Sequence, residues 1–222
     1  MADIPDAFTV VETVAAALQR REDELRLGGG EAGPDELPEE GLRQLLAEAL
    51  ASKFGVWVRP PLPSSHLPAF ARQGRPADMV VSPAGRDVWP PGGPDLFTAP
   101  TAVPPEEALW LMMRVSWRWP PPGVVQTPLP AELKRFRRMA SDPHVHHAAV
   151  LAVAFLSDAD ELPHVLLSLD GMLQEQRDIW HYEPELRHVR TLSLTDRRGH
   201  RAMAVGLWPV RLWRALLRGS AV

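Results

Sequence analysis

The chain has 222 residues, 45% of them hydrophobic, which is enough for one domain of ordinary size with its own core. Its 24 Lys and Arg residues against 28 Asp and Glu residues give a net charge of −4, which argues against a broad basic surface for nucleic acid. There is no cysteine, so disulfides and thiolate metal sites are excluded, and with neither a cleavable leader nor a run of about 18 apolar residues we expect a cytoplasmic protein without membrane contact.

The first 37 residues are predicted to form a helix and a flexible linker. Apolar residues recur at three- and four-residue intervals over positions 8–27, a pattern typical of an amphipathic helix. Three glycines at 28–30 end it, and the acidic segment that follows is expected to be solvated. A phosphate loop is not indicated, because no strand precedes the glycines and no Gly-Lys-Ser/Thr follows them.

A second helix is predicted from Pro38, where proline suits the first turn and Glu39 and Glu40 favour the positive end of the helix dipole. Short strands follow at residues 56–59 and 75–81, and the second of them carries Asp78 among apolar neighbours. Residues 82–105 are a connection rich in proline and glycine.

The strand predicted over residues 109–119 has two different faces. The alternation indicates a half-buried strand, with one wholly apolar face and one mixed face. The apolar face consists of Leu109, Leu111, Met113, Val115, Trp117 and Trp119, and the mixed face of Trp110, Met112, Arg114, Ser116 and Arg118.

The C-terminal half is predicted to complete a sheet. A basic helix at 129–140 precedes a continuously apolar strand at 148–156, which is expected at the sheet centre. A helix at 162–177, a hairpin of strands 189–195 and 202–208, and a short basic tail helix from Arg211 follow. We therefore predict an α/β domain over residues 38–210, with a mixed central sheet flanked by helices, and a tail over 211–222.

The order helix, three strands, helix, buried strand resembles the restriction-endonuclease-like fold of the PD-(D/E)XK nuclease superfamily, over roughly residues 38–156. The resemblance implies that Asp78 matches the strand carboxylate that holds magnesium and that Glu39 or Glu40 matches the helix carboxylate. Met112 stands where a glutamate belongs, and a thioether does not replace a carboxylate for magnesium. Arg114 stands where a lysine belongs and keeps only the positive charge.

Three hypotheses for Asp78 and Arg114 follow. They form a buried salt bridge across neighbouring strands, which stability alone would retain. Alternatively, Arg114, Ser116 and Arg118 line a residual phosphate-binding cleft. In the third hypothesis the protein is a working magnesium-dependent nuclease for DNA or RNA, with a relocated carboxylate from Glu106, Glu107 or Glu132.

Clustered His144, His146 and His147 suggest zinc or nickel, but their spacing favours a turn with solvated histidines. The substituted motif favours a degenerate, inactive nuclease site in a protein that binds nucleic acid through a local cleft or takes part in assembly, with no cofactor. The alternatives are the active nuclease and a scaffold for a protein partner or a second copy of the chain.

Overall fold

The computed structural model describes residues 4–28, 32–59, 77–83, 86, 103–116, 130–175, 180–196 and 198–212. Trp117, Arg118, Trp119 and most of the connection predicted at 82–105 lie outside these residues. In chain order the helices and strands are α1 Ala7–Arg26, α2 Glu39–Ala51, β1 Gly55–Val58, β2 Met79–Ser82, β3 Leu109–Ser116, α3 Pro130–Ser141, β4 His147–Leu156, α4 Leu162–Gln174, β5 Trp180–Tyr182, β6 His188–Ser193 and β7 Ala202–Leu212.

The strands form one mixed sheet of seven strands in the order β1-β2-β3-β4-β7-β5, with β6 also paired to β7. β3 and β4 are parallel, as expected when a helix connects them, and the other pairs are antiparallel. β5 and β6 pair with successive parts of β7 on the same edge. The prediction of a mixed sheet flanked by helices is confirmed.

Helices cover both faces of the sheet. Leu109, Leu111 and Met113 of β3 share a core with α1 and α2, while Trp110 and Met112 share a second core with α3 and α4. The expectation of a half-buried β3 is therefore wrong for its first five residues, because the face predicted as mixed is covered as fully as the apolar one. All but the first of the ten residues of β4 are buried, so its predicted central position is confirmed.

The N-terminal segment belongs to the same core. Val10, Val14 and Leu18 of α1 are fully buried and share a core with α2 and the sheet. The linker is also less solvated than predicted. Asp35 is only 3% exposed, and its carboxylate lies 3.2 Å from the Nδ1 atom of His200 at the end of the hairpin loop.

At the C-terminal end, one strand was not predicted and one prediction is wrong. β5 was not predicted, and Arg211, expected to begin a basic tail, continues β7 as a strand residue paired with His147 and His181. The pairing with β4 and β5 holds it in extended conformation. Residues 213–222 of the tail lie outside the described residues, and within them no helix has both the length and the apolar character needed to span a bilayer.

Candidate functional site: a buried charge cluster around Asp78

Asp78 lies where β2 begins, and its backbone and side chain both bond to neighbouring strands. Its N–H donates to the carbonyl of Leu111 at 2.9 Å, and its carbonyl accepts from the N–H of Arg59 at 2.7 Å. Oδ2 of its carboxylate accepts from the N–H of Met113 at 2.8 Å. The carboxylate thus satisfies a β3 backbone donor beyond the end of β2, which fixes its position between the two strands.

Arg43 of α2 is the cation that faces this carboxylate. Its Nε lies 3.4 Å from Oδ1 of Asp78, and both side chains are almost fully buried, with 7% and 4% exposed. Nη2 donates to Glu39 at 2.8 Å, and Nη1 donates to Glu40. Asp78 and both candidates for the helix carboxylate, Glu39 and Glu40, therefore converge on one guanidinium.

Two further arginines close the cluster towards solvent. Arg135 of α3 donates to Oδ2 of Asp78 at 2.9 Å, and its side chain is 35% exposed. Arg59, which follows β1, donates to Glu40 and is 48% exposed. Three carboxylates therefore meet three guanidinium groups, and the cluster balances its own charge.

Arg114 does not pair with Asp78, so the predicted salt bridge is wrong in its partner. Arg114 lies on the α3 and α4 side of β3, and its Nη1 is 3.8 Å from the Sδ atom of Met172 in α4. Asp78 is instead directed at the β3 backbone, where Arg43 and Arg135 reach it from helices on opposite faces. Ser116 is partly buried two residues further along the strand, and Arg118 lies outside the described residues.

The arrangement does not fit a magnesium ion. Met112, which the resemblance aligns with a glutamate, is 1% exposed and packs in the core beneath α3 and α4. Magnesium requires an octahedral shell of oxygen atoms, whereas here one oxygen of each carboxylate accepts hydrogen bonds from N–H donors. Within the described parts of the chain, no group of three or more His, Cys, Asp or Glu side chains is placed to hold a metal.

The histidines at 144–147 and the candidate relocated carboxylates do not form one metal site among the described residues. Nδ1 of His144 lies 2.5 Å from Oε1 of Glu106, so this candidate acid pairs with a histidine. The ring centroids of His146, which precedes β4, and His147, its first residue, are 6.4 Å apart. Burial, His146 and Arg211 lower the pKa of His147 to about 4, so it is neutral at pH 7. Glu107 is partly buried, and the side chain of Glu132 lies outside what the structure describes.

A second polar cluster, around Asp170 of α4, was not predicted. Its carboxylate accepts from the hydroxyl of Tyr182, from Arg187 and from the indole N–H of Trp208, the last at 3.0 Å. Burial and this hydrogen bond to Asp170 raise the pKa of Tyr182. These hydrogen bonds connect α4 to β5 and β7.

The fold and the charge cluster define a three-layer α/β protein with a carboxylate site filled by arginine. Comparisons with protein-family models, with curated proteins and with solved structures find no match for this chain.

Proposed function

We propose that this chain is a restriction-endonuclease-like protein with a degenerate site, which binds nucleic-acid phosphates without hydrolysing them. The order α2, β1 to β3, α3, β4 and the parallel pairing of β3 with β4 support the fold. The observation that carries the proposal is the position of Arg43. It places a fixed guanidinium among the carboxylates that a nuclease would use for its metal, and an arginine does not activate water.

Phosphate binding would use the rim of this cluster. Arg135 connects α3 to Asp78, and Lys134 and Arg137 are exposed beside it on the same helix. Phosphate oxygens accept the same paired N–H donors as a carboxylate, so we expect a backbone phosphate to bind this basic surface of α3. The net charge of −4 confines such binding to this local surface.

The test is fluorescence anisotropy with labelled single- and double-stranded oligonucleotides over a range of salt concentrations. We expect a Kd of about 10⁻⁴–10⁻⁶ M, and a salt slope that falls by about one for each phosphate contact removed. The variant Lys134→Gln/Arg137→Gln should weaken binding, whereas Lys53→Gln/Arg190→Gln, which removes the same charge from exposed positions elsewhere, should not. Equal affinity of the two double variants would overturn the rim assignment, and Arg114→Gln would then test the other predicted cleft.

The same oligonucleotides, incubated with magnesium or manganese, test for hydrolysis. We expect no cleavage by the wild type. Cleavage that disappears in a folded Asp78→Ala variant would refute the degenerate-site proposal.

A further inference from the structure

A cavity of about 290 Å³ lies where β3 and β4 begin and β7 ends. Its size is at the lower end of the range of about 300–1,000 Å³ found for ligand cavities. It involves no residue of the Asp78 cluster. Most of its wall is apolar, and the residues concerned are Ile4, Leu109, Leu186, Leu207, Pro209 and Val210.

Strand register brings three nitrogen-bearing side chains together on the cavity wall. His147 of β4 pairs with Arg211 of β7, and Arg211 pairs with His181 of β5. Directly paired residues on antiparallel strands have Cβ atoms about 4.5–5.5 Å apart and lie on the same face. Arg211 is therefore flanked by an imidazole on each side.

The acids on the wall already have partners. The carboxylate of Asp6 caps α1 by accepting from the N–H and the hydroxyl of Thr9, at 2.8 and 2.7 Å. Oε1 of Glu183 lies 2.9 Å from Nε2 of His181. Among the described residues no carboxylate forms an ion pair with Arg211, and Arg211 is exposed, so its guanidinium is accessible to an anion from solvent.

We propose that this cavity binds a small organic anion, a compact apolar group that carries one carboxylate. The carboxylate pairs with the guanidinium of Arg211, for which a planar, two-oxygen partner is the best match. The apolar part lies against the leucine and valine side chains of the wall. His147, neutral at pH 7, offers a hydrogen bond without adding charge.

Benzoate, benzyl alcohol and acetate are suitable probes, followed by amide ¹H–¹⁵N chemical shifts. Benzyl alcohol keeps the ring without the charge, and acetate keeps the charge without the ring. We expect benzoate to bind about tenfold more tightly than either, which corresponds to about 1.4 kcal/mol. The largest shifts should fall in residues 4–7, 147–148, 181–186 and 207–211.

Arg211→Gln should abolish the preference for benzoate over benzyl alcohol, and Arg211→Lys should restore part of it. Arg190→Gln removes an exposed arginine from neighbouring β6 and should change nothing. Absence of binding, equal affinity for benzoate and benzyl alcohol, or full affinity in folded Arg211→Gln would overturn the proposal. Shifts centred on Arg59 and Arg135 instead would place anion binding at the Asp78 cluster and overturn the cavity assignment alone.

Discussion

Arg43→Met is the most informative substitution, because it removes the charge of the buried guanidinium and keeps much of the volume of the side chain. Removing one partner of a buried ion pair costs about 3–5 kcal/mol, since the other charge is left without compensation. Here Asp78 keeps Arg135 and the N–H of Met113, which places the loss near the lower end. Glu39 and Glu40 are more than half exposed, and water replaces most of what they lose. We expect a loss of about 3 kcal/mol in the free energy of unfolding.

Urea unfolding at pH 7, followed by tryptophan fluorescence, measures this loss. Arg20→Met is the matched control, because Arg20 is exposed on α1, and its substitution should change stability by less than about 0.5 kcal/mol. A loss below about 1 kcal/mol for Arg43→Met would refute the view that this guanidinium neutralises the buried carboxylate.

Arg43→Ala extends the same test to metal binding. Shortening the side chain leaves space among Asp78, Glu39 and Glu40, whose oxygens then lack their shared cation. We expect manganese to raise the melting temperature of Arg43→Ala more than that of the wild type, because a ligand that binds only the folded state stabilises it. An equal response of both proteins would show that these carboxylates do not converge closely enough for a divalent ion.

Three further predictions concern other parts of the sheet. Asp170→Ala should lower the free energy of unfolding by about 2–4 kcal/mol in urea titrations, because buried donors such as the Trp208 indole lose their acceptor. Gly206→Ala should cost about 1–3 kcal/mol in the same assay, since its Cβ would lie 2.4 Å from the Trp208 ring, and an unchanged midpoint would contradict this packing. Above pH 6.5, the pKa of His147 in the unfolded chain, protonation of His147 does not affect stability. Between pH 6.5 and about 4 the unfolded chain binds a proton at this residue and the folded chain does not. Stability should therefore fall over this range by about 1–2 kcal/mol after allowance for partial exposure, and His147→Gln, compared by thermal melts at pH 7 and pH 4, should lose that part of the decrease.

Sequence periodicity was sufficient for the long elements and failed for short ones. α1 and the hairpin of β6 and β7 have repeating patterns over six or more residues, and β4 is a continuous apolar run. The structure places each within a few residues of its prediction. β5 has three residues, too few for a period, and exists because it completes the edge of β7. Burial of the second face of β3 depends on α3 and α4, which local sequence does not reveal.

The sequence singled out the acids of the candidate site, Asp78, Glu39 and Glu40, but not the cation Arg43. Arg43 stands four residues after Glu39 and three after Glu40, so helical ion pairs were visible in the sequence. That spacing is ordinary on a solvated helix, and only the packing of α2 against β2 shows that the same guanidinium reaches Asp78. The contact of Arg135 from α3 with the same carboxylate is likewise visible only in the folded structure.

A magnesium ion and a guanidinium differ in what they can do beside these carboxylates. A magnesium ion brings two charges and exchangeable water positions, so it can neutralise carboxylates and also deliver a nucleophile. A guanidinium brings one charge and fixed N–H donors, so it neutralises and orients but delivers nothing. Met112 carries no charge, and Arg43 and Arg135 together neutralise Asp78. The guanidinium groups of the Asp78 cluster therefore neutralise and orient its carboxylates.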